Sequence, residues 1–131
     1  TKLDDFSAAR IEGSENHDFL LTYYNMTRRY NDRNLELIVD EFNAKKEAND
    51  SLIQAVENKK LALIKNSYLA TVNFALQHTD YEIAPFVMVY ETPDINIQFL
   101  DTVYNSLSDK VKQSNYGKLL KSRITEVTQE E

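Results

Sequence analysis

The sequence predicts an all-α domain, a helical bundle of about five helices in which two long antiparallel helices are joined by three shorter ones. Three observations lead there. Neither glycine nor proline occurs between Gly13 and Pro85, a long span without the two strongest breakers of regular structure. Within it, apolar residues recur every third or fourth position, which is the helical period. And 131 residues, 42% hydrophobic and 27% charged, suit one globular unit with one core.

The first helix starts at Ser14, an N-cap residue after Gly13, with Glu15 and Asp18 placed where carboxylates meet the positive end of the helix dipole. Its apolar stripe runs through Phe19, Tyr23, Met26, Tyr30 and Leu37, and Ile38 with Phe42 is read as extending it toward Ala44. The polar stretch NAKKEANDS then marks a turn near Asn49, with Asn49, Asp50 and Ser51 as caps. A second long helix carries Leu52, Ile53, Val56, Leu61, Ile64, Tyr68, Val72, Ala75 and Leu76 and ends near 77–80, antiparallel to the first.

In DYEIAPFVMVYE, Pro85 fits the first turn of a third helix capped by Asp80; the β-branched and aromatic content of PFVMVYE also permits a strand. Pro93 ends this element. INIQFLDTVYNSLS puts Ile97, Leu100, Val103, Tyr104 and Leu107 on one face of a fourth helix. Ser108 caps a last helix running through Val111, Tyr116, Leu119, Leu120, Ile124 and Val127. The helical domain is thus read as residues 13–128, with residues 1–12 as remnant or linker of a preceding domain and 129–131 as a polar tail.

Composition excludes several functions. The net charge of -6 disfavours nucleic acid, whose nonspecific binding needs clustered Lys and Arg. From Asn66 through Asp109 there is no Lys or Arg, whereas Asp80, Glu82, Glu91, Asp94, Asp101 and Asp109 are acidic. This flank reads as a solvated face or as a docking surface for a basic partner. No apolar run reaches the roughly 20 residues needed to span a bilayer. Without cysteine the chain holds no disulfide, thiol nucleophile or Cys-ligated metal.

Motifs for chemistry are missing. Gly117 precedes Lys118, but a phosphate loop needs further glycines after a buried strand and a Ser or Thr after the Lys. Gly117 instead permits close approach of another backbone, or marks a kink between two short helices. His17 and His78 lie in no metal-binding spacing; His78, Asp80 and Glu82 form the best metal candidate by residue type, at a helix end where polar residues serve as caps. No nucleophile elbow appears, so we read no catalytic residue, cofactor site or metal site. The eight tyrosines fall mostly on apolar stripes as core residues with a polar tip, or alternatively line a binding groove.

IEGSENHDFLLTYYN, EIAPFVMVYE and NIQFLDTVYNSLSDKVKQSNYGKLLKSRI together resemble the helical region that precedes the thioredoxin domain in TlpA-like and ResA-like periplasmic thiol-disulfide oxidoreductases. The likeness covers roughly Ile11 to Thr125. It implies a noncatalytic spacer or interaction module of an exported, periplasmic parent protein, led by a lipoprotein or secretory signal and so lipoprotein-anchored in the first case, whose partners are the thioredoxin-like domain of the same chain and that domain's protein substrate. It implies packing roles for the motif residues Ser14, Pro85, Phe86, Ser114, Tyr116 and Gly117. The alternative reading is a free-standing helical binding protein for a small ligand or peptide, which a tyrosine-lined cavity would favour.

Overall fold

The computed structural model describes residues 14–130, and within them the protein is all-α. In chain order the helices are α1 (Ser14–Lys46), α2 (Asp50–Leu76), α3 (Ile83–Glu91), α4 (Ile97–Ser106), α5 (Asp109–Lys112) and α6 (Asn115–Glu130). Residues 1–12, read as a linker or remnant, Gly13, read as the first residue of the helical domain, and Glu131 lie outside the described residues.

The two long helices reverse over three residues. At the end of α1 the Asn49 N–H reaches the Ala44 carbonyl (3.2 Å) and the Ala48 N–H the Lys45 carbonyl (3.1 Å), the paired bonds of a Schellman motif. Ala48 occupies the left-handed position there, φ 54°. Asn49 then caps α2, its Oδ1 accepting from the Leu52 N–H at 3.1 Å, as the sequence led us to expect.

Beyond the turn, the seam between α1 and α2 departs from the expected stripes. Tyr30, Asn34, Leu37, Glu41 and Ala44 face inward on α1, whereas Ile38 and Phe42 are exposed. The reason is strict helical stepping: after Tyr30 the inward positions advance by 4, 3, 4 and 3, which passes between Ile38 and Phe42 and brings a polar residue inward. Glu41 takes that place beside Lys60 of α2, 3.3 Å away. On α2, likewise, Val56, Thr71, Val72, Phe74 and Ala75 are buried, whereas Leu52, Leu61, Ile64 and Leu76 are exposed.

The core sits at the opposite end from the turn, around α3. Ile83 through Met88 are all buried, and a short helix apolar all round is an interior helix; PFVMVYE is not a strand. Leu20 and Tyr23 of α1, Val72, Phe74 and Ala75 of α2, Leu100 and Val103 of α4, Leu107 just after it, Val111 of α5 and Tyr116, Leu120 and Ile124 of α6 complete the cluster.

Both ends of α3 are satisfied by distant residues. Its first N–H, that of Ile83, donates to Asn16 Oδ1 of α1 at 3.1 Å, while the expected cap, Asp80, is exposed and the residue at the N-cap, Glu82, makes no side-chain cap bond. Chain direction explains the substitution: Asn16 arrives from α1 already packed against this end. Pro85 lies in the first turn, where a missing N–H costs no intrahelical bond. At the other end the Arg123 guanidinium of α6 donates to the carbonyls of Met88, Val89 and Thr92. Orphan carbonyls at a helix C-terminus are where a cation is most favourable.

Candidate functional site

The residues singled out in the sequence gather at two places, and only one of them is a site. Ser114, Tyr116 and Gly117 form the joint between α5 and α6. Ser114 caps α6, its Oγ accepting from the Gly117 N–H at 3.2 Å while donating to the Val111 carbonyl at 2.5 Å. A Cβ on Gly117 would stand 2.1 Å from the Val111 carbonyl oxygen and 2.7 Å from that of Lys112, so glycine is required by space. The helix expected as one is therefore two, with backbone pressed against backbone at the break. Tyr116 meets Phe86 edge-on, ring centroids 5.1 Å apart at 82°, and Pro85 is buried beside it in sequence. Ser14 stands at the start of α1. At this joint Gly117 serves the close approach of two backbone segments.

His78 is a packing residue. Its ring lies 4.3 Å from Phe74 and 4.4 Å from Phe19, and Nδ1 is 2.7 Å from the Phe74 carbonyl oxygen. A carbonyl only accepts, so Nδ1 carries the proton. Among the described residues no group of three or more His, Asp or Glu is placed to hold a metal ion.

The second place is a groove of about 440 Å³ along the seam where α1 and α2 leave the core. Tyr23, Tyr24, Thr27, Tyr30, Asn31 and Asn34 line it from α1, Leu63, Ile64, Ser67 and Thr71 from α2, and Glu91 from the end of α3. It exists because the inward positions of the seam here are small or polar: Ser67 and Thr71 on α2 oppose the tyrosines of α1 and leave space that a pair of leucines would fill.

Hydrogen bonding fixes its floor. Thr71 Oγ1 donates to the Ser67 carbonyl at 3.0 Å, which commits its single proton. Tyr23 Oη, 2.8 Å from Thr71 Oγ1, is therefore the donor in that buried pair. Burial pushes the Tyr23 hydroxyl well above the usual phenol range, opposed by the bond to Thr71 and reinforced by the Glu91 carboxylate. Tyr24 Oη leans toward Glu91 Oε1 at 3.4 Å. Ser67 Oγ donates to the Ile64 carbonyl at 2.8 Å. The Ser67 and Thr71 hydroxyls are thus both held by main-chain acceptors.

A tyrosine-lined groove was one of the two readings of the tyrosines, and Tyr23 and Tyr30, one heptad apart, share a helix face in the sequence itself. Glu91 carried no such signal: in the chain it is the last residue of α3, and only the fold brings it to the tyrosines. In comparison with known proteins, no family model, no curated protein and no solved structure matches this chain.

Proposed function

We propose that this chain is a noncatalytic helical binding module that takes a small ligand or an extended peptide segment in the groove between α1 and α2. The observation that carries the proposal is the groove itself: a concavity with aromatic and aliphatic walls and a few convergent polar groups, Asn31, Asn34 and Glu91, is the ordinary build of a ligand site. The test is ligand-observed NMR with a set of small molecules and short peptides against the wild type and against Asn34→Trp, whose indole fills the groove. Binding to the wild type that is lost in a folded Asn34→Trp supports the proposal; binding that survives the substitution, or none at all, contradicts it.

The resemblance carried by EIAPFVMVYE and SNYGKLLKSRI supports a setting for this module, as the spacer and interaction segment of a periplasmic thioredoxin-like thiol-disulfide oxidoreductase. In that setting the groove faces the redox domain of the parent chain or its protein substrate. Having no cysteine, the segment contributes contact and position, and electron transfer belongs to the neighbouring domain. The gene sequence on either side tests this directly: an export signal upstream and a Cys-x-x-Cys domain downstream are expected, and a stop codon directly after Glu131 would contradict it.

A further inference from the structure

Beyond the groove, we propose that the outer face of the α1–α2 pair docks on a second copy of this chain, with α1 laid antiparallel on the partner's α1 across a two-fold axis midway between Ile38 and Val39. The face continues the groove and turns apolar where the groove ends. From Asn31, which lines the groove, steps of 4, 3 and 4 lead to Leu35, Ile38 and Phe42, with Val39 beside them, and all four apolar residues are exposed. Such steps keep to one side of a helix, and they leave Glu36, Asp40 and Glu41 on its other sides. On α2, Ile64 lines the same groove, and Leu61, one turn before it, is exposed with it. Lys60, next to Leu61, is paired with Glu41, which sets Leu61 level with the α1 stripe. Six exposed apolar side chains on one side of a helix pair have the composition of an interface centre.

The stripe is its own complement when reversed. Leu35 and Phe42 stand equally far from the midpoint, as do Ile38 and Val39, so an antiparallel copy sets Leu35 against the partner's Phe42 and Ile38 against the partner's Val39. Charge selects this direction. Asp32 borders the N-terminal end of the stripe and Lys46 its C-terminal end, at distances from the midpoint that differ by one residue, about 1.5 Å of helix rise. Antiparallel, Asp32 meets the partner's Lys46 at both ends of the contact, whereas a parallel pair sets like charges against each other at both ends. Both groups are open to such pairing. Arg33 and Lys45 are engaged within the chain by Glu36 and Glu41, but among the described residues Asp32 and Lys46 make no ion pair. Arg28, one turn before Asp32, falls level with the partner's Asn49, past the end of its α1. A two-fold contact of one patch with itself is also the commonest form of soluble oligomer.

The experiment is sedimentation velocity on the whole 131-residue chain over a range of concentrations, with urea denaturation of each variant to show that it folds. The wild type is expected to pass from monomer to dimer as concentration rises. Phe42→Glu, at an exposed position that the fold tolerates, should weaken dimerisation at least about 30-fold, because a two-fold contact meets the change twice. Asp32→Lys and Lys46→Asp should each weaken it about fivefold, and the two together should restore it, since the exchanged charges pair again only in an antiparallel contact. A chain that stays monomeric at every concentration would overturn the second copy as occupant and leave the face to a different protein. A dimer indifferent to Phe42→Glu would overturn the choice of face, and one that Asp32→Lys leaves unchanged would overturn the antiparallel register.

Discussion

Three single residues show how local physics decides. Alanine ordinarily stabilises a helix by about 1 kcal/mol over glycine, yet at Gly117 the added methyl meets two backbone carbonyls that cannot swing away. Gly117→Ala is therefore expected to destabilise the protein by about 2 kcal/mol in urea denaturation, in the range of overpacked interiors; a gain in stability would contradict the close approach described. Ala48 is the converse. It holds φ 54°, which costs a residue with a side chain about 1 kcal/mol or more, so Ala48→Gly should raise stability by about 0.5 kcal/mol even after the extra freedom glycine gives the unfolded chain. Tyr23 adds a pH signature. Its phenol titrates above the ordinary 10.0 in the folded protein, so above that pH the unfolded chain binds fewer protons than the native one and stability falls as pH rises. The contribution is complete below pH 10.0. Tyr23→Phe should cost about 1 kcal/mol near neutral pH through the lost bond to Thr71, and its deficit against the wild type should shrink on titration past that value. Gly117 was legible in the sequence because a glycine in a helical stretch demands a packing reason; Ala48 was not, since nothing in its type announces a left-handed backbone.

At the scale of elements, the helices follow from periodicity and caps, and the joints between them do not. Asn49 and Ser108 cap the helices that follow them by a bond three residues on, and such local chemistry reads directly from sequence. Asn16 capping Ile83 and Arg123 closing the far end of α3 are 67 and 35 residues from their partners, and only the fold creates those contacts. The same holds for the groove, whose tyrosines shared a legible face while Glu91 came from another helix. Side-chain burial on the long helices was misread for a related reason: Ile38 and Phe42 are apolar, but the inward phase is set by the neighbouring helix, which selects Asn34 and Glu41. Arg123 offers the sharpest test of the joints. Arg123→Met keeps much of the stem and removes the guanidinium from three carbonyls, of which Met88 keeps the Thr92 hydroxyl and Thr92 the Ile95 N–H, so thermal or chemical denaturation should show a loss of about 1 kcal/mol, the cost of weakened, partly buried acceptors. Wild-type stability in that variant would mean that solvent satisfies this end of α3 equally well.

Across the whole molecule, stability is unevenly distributed. The core cluster joins α3 to the N-terminal part of α1, the C-terminal part of α2 and the three later helices. Beyond it the α1–α2 pair buries little besides Leu37, Ala44 and Val56, and exposes Leu35 at 62%, Phe42 at 68% and Leu61 at 66%. Segments with few buried apolar contacts open below the global unfolding free energy, so amides of residues 35–60 should exchange with deuterium well before those of α3. The groove lies at the boundary between these two regimes, with Tyr23 anchored in the core and Asn34 on the seam beyond it. A crystal of the chain soaked with a cocktail of small polar and aromatic fragments tests the central claim most directly. Fragment density is expected in the groove beside Tyr30 and Glu91; fragments that settle only elsewhere on the surface, with the groove filled by water, would contradict a binding role for it.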